Sequence, residues 1–365
     1  MHAGVASSAA REPLRFGAAS MIVAAALVVS GCSVGDTTAG SAGTSTPLPQ
    51  SSGGAATTGD AELLAAVGGT FGDDVDRAAV ALVIDDEVRT AFVNADASTM
   101  FEFGSITKAL TGLLLAEAVR RGEVAVDDPV GDFLELGTSD AASATLERLA
   151  THRAGMPVVP DAPTDDDPFP DEPGALVAQA MTVEVPDDAD FSYDNVGPAL
   201  LGQALAGAAG TEYSQLLRER VLDPASMDGA VVVGTDAEVP DDLQPGYTLA
   251  QIPVEPWTFG DYAPAAGVAG TLDDVVGLAR SVISGPFADS AALDPVYEIN
   301  TRFAIGYLWF VESRSARTVT GHSGQTGGYS SVLFVDRGAD VASIVLWDAP
   351  GDAEEVALRL LLLAD

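Results

Sequence analysis

FEFGSITKALTGLLLAEAVRRG, residues 101–122, is the stretch from which the rest of the chain can be read. From Ile106 to Val119 apolar side chains surround nearly the whole helical circumference, and a helix apolar on all sides is an interior one. Arg120 and Arg121 suit its C-terminal end, and Gly122 stops it. The spacing therefore predicts a buried helix over 106–121. Inside its first turn sits Lys108, the single lysine among 17 lysines and arginines. Ser105 lies three residues earlier, on the same helical face. An ammonium there feels the positive end of the helix dipole and loses hydration on burial, and both effects lower its pKa. Such a lysine can act as a base near neutrality, whereas an arginine stays protonated. The Ser105 backbone N–H, at the helix start, points where an oxyanion can be held. Taken alone, Ser-x-x-Lys is a weak signal, since in a GC-rich genome arginine replaces lysine by drift and one lysine can be a leftover.

Before this helix, DAELLAAVGG (60–69) reads as a short helix. RAAVALVID (77–85) and EVRTAFVNA (87–95) read as an antiparallel hairpin turning at Asp85-Asp86. The middle third is mostly helical and is interrupted by an acidic, proline-rich loop at 160–174 that reads as a solvated surface segment. The last quarter gives four strand-like runs, TRFAIGYLWFV (301–311), ARTVTGHSG (316–324), GYSSVLFVD (328–336) and ASIVLWDA (342–349), then a helix from about Ala353 to Leu363. The expected fold is α/β of the α+β kind. One antiparallel sheet is formed by the N- and C-terminal parts and flanked by helices, with a mostly helical subdomain inserted at about 122–262. No βαβ rhythm supports a doubly wound parallel sheet.

The formal charge of -37 argues against a nucleic-acid partner, which needs a basic face. A hydrophobic content of 47% is ample for a core. Arg11 and Arg15 precede an apolar run from Phe16 to Val29 that is too short for an ordinary membrane span and reads as an export leader. The run ends Val29-Ser30-Gly31-Cys32, which resembles the lipobox of bacterial lipoproteins; ordinary secretion is the alternative. That reading makes 1–31 a signal peptide, Cys32 the lipidated (palmitate-bearing) residue, 32–59 a Ser/Gly/Thr tether and 60–365 the folded domain. The domain would then be anchored on the extracytoplasmic face of a cell membrane. Cys32 is the only cysteine, so an intramolecular disulfide is excluded. His152 and His322 have no ligand-like companions nearby, so no metal or other cofactor is expected.

Two more stretches carry chemistry. In FSYDNVGPALLGQALAG (191–207), Tyr193-Asp194-Asn195 precedes an apolar helix; a plain N-cap explains it as well. In VTGHSGQTGGYSSVLFV (319–335), His322-Ser323-Gly324 closes one strand before a glycine-rich turn; a surface histidine beside a hairpin is the alternative. Taken in order, Ser-x-x-Lys, Tyr-x-Asn and His-Ser-Gly resemble the three active-site elements of the serine β-lactamase and penicillin-binding protein superfamily. The nearest branch is that of class C β-lactamases and D-alanyl-D-alanine carboxypeptidases. LERLATHRAGMP (146–157) and PAAGVAGTLDDVVGLA (264–279) resemble the same branch, so the resemblance runs from about Asp60 to the C-terminus.

The resemblance implies that Ser105 attacks a carbonyl and forms an acyl-enzyme, and that Lys108 and Tyr193 share the proton traffic. Asn195 would hydrogen-bond Lys108 and the substrate amide, and His322 would support the tyrosine or a substrate carboxylate. The backbone N–H groups of Ser105 and Gln325 would form the oxyanion hole. Ser323, Gly324 and Arg317, or Arg314 in its place, would contact substrate. The third element is His-Ser-Gly rather than Lys-Thr-Gly, which favours a D-alanyl-peptide carboxypeptidase or a related amide or ester hydrolase over a β-lactamase. Class C-like β-lactamase or carboxylesterase activity is the alternative, and a non-catalytic penicillin-binding envelope module is the alternative of another class. The expected partner is a small-molecule or peptide substrate, and the sequence is silent on oligomeric state. GHSGQ is not a Gly-x-Ser-x-Gly elbow, because Gln325 stands where glycine is needed and no histidine follows His322.

Overall fold

The computed structural model describes residues 55–68, 77–85, 87–159, 169–170, 172–186, 188–314 and 317–364. The leader, Cys32, most of the tether and most of the acidic loop lie outside them. In the N-terminal part, β1 (Thr57–Gly59) and α1 (Ala61–Val67) lead to β2 (Ala78–Ile84), β3 (Glu87–Val93) and β4 (Phe101–Glu102), and α2 spans Ile106–Arg121. The middle holds α3 (Leu146–Ala150), α4 (Ala175–Ala180), α5 (Val196–Ala209), α6 (Tyr213–Leu217) and the short strands β5 (Val231–Val232), β6 (Gly246–Tyr247) and β7 (Pro253–Val254). It ends with α7 (Ala263–Ala266), β8 (Val268–Gly270) and α8 (Leu272–Ile283). The C-terminal part is β9 (Tyr297–Glu298), β10 (Phe303–Ile305), β11 (Phe310–Arg314), β12 (Arg317–Gln325), β13 (Ser330–Asp336), β14 (Val341–Trp347) and α9 (Ala353–Leu361).

Nine strands form one antiparallel sheet in the order β1-β3-β2-β14-β13-β12-β11-β10-β9. The hairpin β2–β3 closes with Ile84 opposite Glu87, and β14 lies against β2, so the two chain ends meet mid-sheet. Both faces are covered, which is why the central strands read as unbroken apolar runs. Their side chains alternate: Ala79, Ala81, Val83, Leu333, Val335, Ile344 and Leu346 join the core beneath the helical half. Ala78, Val80, Leu82, Val332, Phe334 and Val345 join the core under α1 and α9.

The helix α2 lies in the first of these cores, packed on α5 and α7 and against β12. Leu110, Leu113, Leu114 and Leu115 are fully buried. Each contributes about 1.5–3 kcal/mol relative to exposure. The Glu117–Arg120 and Glu117–Arg121 pairs at its outer end are exposed on the arginine side and contribute a few tenths of a kcal/mol each (~0.3–0.5). Burial therefore fixes this helix, and Gly122 ends it in the left-handed conformation at φ 70.

Two expectations change. Thr57–Gly59, read as the end of a flexible tether, is an edge strand paired with Ala91–Val93. TRFAIGYLWFV is two strands with a turn between them, because the Tyr307 carbonyl drives into α2 at Gly112, where a Cβ would lie 1.8 Å from that oxygen. The Leu308 N–H bonds the Ala150 carbonyl at 2.8 Å, and the Trp309 indole N–H donates to the Ala109 carbonyl at 2.9 Å. These long-range contacts bend a run whose local pattern is that of a continuous strand.

Candidate active site

Gly104 turns the chain at φ 49 from β4 into α2, leaving Ser105 as the helix N-cap. The Ser105 hydroxyl makes no capping bond. It faces Lys108 Nζ at 3.1 Å and accepts from the Tyr193 hydroxyl at 2.8 Å. Lys108 Nζ also donates to Asn195 Oδ1 at 2.6 Å and to the Ala265 carbonyl at 2.9 Å. Those two oxygens can only accept, so they take two N–H bonds of the amine. The remaining tetrahedral position of Nζ faces Ser105 Oγ, as an N–H in the ammonium and as the lone pair in the neutral amine. Burial pushes Lys108 down to about 7, with partial opposition from the Asp194 carboxylate. Burial also raises Tyr193 above its ordinary value. Once Lys108 sheds its proton, near neutral pH, the arrangement holds a lysine lone pair and a tyrosine O–H on the same serine oxygen.

The element YDN has a division of labour that its sequence conceals. Asn195 stands at the N-cap of α5, yet its side chain makes no cap; its Nδ2 donates to the Val158 carbonyl at 2.6 Å while Oδ1 holds Lys108. Asp194 does the capping, accepting the Gly197 N–H at 2.5 Å on Oδ1 and meeting His152 Nδ1 at 2.9 Å through Oδ2. The His152 ring packs beside Tyr193 with centroids 4.7 Å apart.

β12 pairs with β11 only as far as Gly321 but with β13 as far as Gln325, so its last residues present a strand edge to Ser105. The approach is close. A Cβ on Gly324 would lie 2.1 Å from the Phe103 carbonyl and 2.9 Å from Ser105 N, and a Cβ on Gly104 would lie 3.0 Å from Gln325 N. The two backbone nitrogens expected to hold an oxyanion thus flank one glycine–glycine contact. Glu102 fastens this region from below: its buried carboxyl accepts the Trp257 N–H at 2.6 Å and the Thr326 hydroxyl, tying β4 to the β12–β13 turn. Burial pushes Glu102 up to about 7.

His322 lies on this edge, its ring 6.3 Å from that of Tyr193. Its Nδ1 donates to the Ser323 carbonyl at 2.6 Å, and burial, with Lys108 nearby, pushes it down to about 3. Ser323 Oγ points to the other side and donates to Glu354 Oε1 at 2.6 Å.

The structure therefore gathers Ser105, Lys108, Tyr193 and Asn195 into one hydrogen-bonded group and sets His322, Gly324 and Gln325 beside it. Arg317 is a correction. It begins β12, five residues from His322, or roughly 17 Å along the strand. There it meets Asp336 at 3.6 Å and the Leu361 carbonyl at 3.3 Å. Arg314 is bound to Glu312 at 2.8 Å. Neither belongs to the site. Asp194, the Ala265 carbonyl and Glu102 do belong to it and were not singled out from sequence; His152 had only its place in LERLATHRAGMP. Among the described residues, no group of three His, Cys, Asp or Glu side chains is arranged to hold a metal ion.

The Beta-lactamase family model matches residues 69–365. The chain belongs to the β-lactamase family. It is similar to Penicillin-binding protein 4 of Amycolatopsis lactamdurans, 24% identical, with 74% of this chain and 80% of that protein covered. It is likewise 24% identical to Beta-lactamase-like protein 2 of Dictyostelium discoideum over 80% of its own length, but spans only 56% of that protein. Its fold superposes on a class C β-lactamase from Rhodobacter sphaeroides with a TM-score of 0.71, at 20% identity, over 82% of this chain and 98% of the other. The chain accordingly has the β-lactamase fold, within a family that has serine hydrolase members, and its structural neighbours include class C β-lactamases and a β-lactamase/D-alanine carboxypeptidase.

Proposed function

We propose that this β-lactamase-family chain hydrolyses an amide or ester, of the D-alanyl-peptide kind or a related acyl compound, through an acyl-enzyme on Ser105. The observation that carries this reading is the pair of contacts on Ser105 Oγ, from Lys108 at 3.1 Å and from Tyr193 at 2.8 Å. The neutral lysine takes the serine proton as Oγ attacks the carbonyl carbon, and the negative charge moves to the carbonyl oxygen between Ser105 N and Gln325 N. As the tetrahedral intermediate collapses, the bond to the leaving nitrogen or oxygen breaks. The leaving atom takes the tyrosine proton, and the lysine ammonium returns its own proton to the tyrosine. A water then repeats the sequence on the ester, giving free acid and restoring Ser105.

The protonation states set the pH dependence. The lysine must be neutral, so kcat/KM rises as pH increases through about 7, and Tyr193, held above its ordinary value, gives no fall at moderately alkaline pH. Glu102 and Glu354 also titrate near 7. Glu102→Gln and Glu354→Gln variants should therefore keep the ascending limb if Lys108 is its source. A rate that is flat from pH 5 to 9, or a limb lost in either variant, contradicts the assignment.

We further propose an envelope location for the domain, on the lipobox-like sequence ending at Cys32. Cys32→Ser is expected to move the protein from the membrane fraction to the soluble fraction in a bacterial host. Unchanged membrane retention and lipid mass in that variant would refute the anchor.

A further inference from the structure

The strand edge beside Ser105 is formed by His322, Gly324 and Gln325, and its chemistry bears on what the substrate carries beside the scissile bond. The Ser323 carbonyl can only accept, so His322 Nδ1 holds a proton, and in the neutral ring Nε2 is left as a bare acceptor. That nitrogen is buried and has no hydrogen-bond partner. A buried acceptor without a donor is costly, and a ligand N–H relieves it. Behind the strand, Ser323 Oγ is committed as a donor to Glu354, whose other oxygen is also buried and unpartnered. Burial pushes the Glu354 carboxyl up to about 7, so at neutral pH it still carries part of a negative charge.

The cations that could balance a carboxylate are placed elsewhere. Arg317 stands at the opposite end of β12, against Asp336 and Leu361, and Arg314 is bound to Glu312. Among the described residues, Lys108 is the basic side chain that reaches the Ser105 group, and it is already shared by Asn195, Ala265 and Ser105 and must be neutral to act as a base. An anion at this edge would meet the bare His322 Nε2, with the partly charged Glu354 carboxyl behind the strand, within a chain of net charge -37.

We infer that the substrate has no free carboxylate next to the bond that is cut: the His322–Gln325 edge takes an uncharged, N–H-bearing terminus such as a carboxamide or the next peptide unit. This rests on the acyl-enzyme reading of Ser105 and narrows it from carboxypeptidase-type to internal or capped amide substrates.

The test is competition against p-nitrophenyl acetate hydrolysis by the purified protein, using N-acetyl-D-alanyl-D-alanine and its C-terminal amide. The amide should compete at a concentration at least ~10-fold lower than the free acid, the loss expected for an anion given no charged partner. His322→Lys should shift that ratio toward the acid by about tenfold or more. An acid that competes as well as the amide, or failure of both to compete, overturns the inference without any appeal to the variant. Ser105→Ala separates the two levels. If it still liberates p-nitrophenol at the wild-type rate, the acyl-enzyme reading has failed; if it does not, the competition result bears on the substrate class alone.

Discussion

Lys108→Arg is expected to lower kcat/KM by at least ~10³-fold and to erase the ascending limb of the pH profile. General-base catalysis supplies about 10²–10⁴-fold, and a guanidinium cannot shed its proton at working pH. The substitution keeps a basic side chain but removes its ability to shed a proton near neutrality. Arginine also brings a planar, permanently charged group into a pocket shaped by the Asn195 amide oxygen and the Ala265 carbonyl. Lys108→Met serves as the control for folding, since it keeps the apolar stem and adds no buried charge. The lysine is lowered from 10.5 to about 7 by burial, so between those values the unfolded chain binds more protons than the folded one. Wild-type stability should therefore rise with pH across that window, and the rise should vanish in Lys108→Met. Chemical denaturation at pH 6.5 and 9.5 checks this. Near-wild-type turnover in Lys108→Arg would remove lysine from the base role.

Ser105→Ala is expected to reduce turnover by about 10⁴-fold or more while leaving the fold intact. The hydroxyl makes no cap on α2, so its removal subtracts nothing from the helix. It breaks only the bonds to Lys108 and Tyr193, and both partners keep other contacts: Lys108 with Asn195 and Ala265, and the Tyr193 ring against His152. Thermal unfolding of the variant should lie within a few degrees of wild type, roughly the shift that 1 kcal/mol gives in a domain of this size. A large loss of stability alongside the loss of activity would point to a structural serine instead.

The parts of the fold that were legible in sequence are those whose pattern is local. The hairpin at Asp85, the all-round apolar helix before Gly122 and the paired strands β13 and β14 each carry their own periodicity. Thr57–Gly59 did not, because three small residues become a strand only by lying along the edge of β3. The break at Leu308 was hidden for the same reason: its cause is the seat of the Tyr307 carbonyl on Gly112, far away in sequence. The site divides likewise. Ser105 and Lys108 share a helix turn, so their meeting follows from spacing, while Tyr193-x-Asn195 and His322-Ser323-Gly324 were found through their likeness to a family. Nothing in the spacing separates the roles of Asp194 and Asn195, since either suits an N-cap; only the tertiary position of Lys108 assigns them. Glu102 carries no local signal of its role, because its hydroxyl partner, Thr326, is 224 positions away. Arg317 misled because a strand places residues of one motif far apart: five positions carry it out of the cleft.

The most direct test of the account is a rapid-mixing experiment with p-nitrophenyl acetate, followed by intact-mass and peptide-mass analysis of the quenched protein. A burst approaching one equivalent of p-nitrophenol and an acetyl adduct on the peptide containing Ser105 are expected, with neither signal in Ser105→Ala. An equal burst or adduct in the alanine variant, or acetylation confined to another residue, would contradict it.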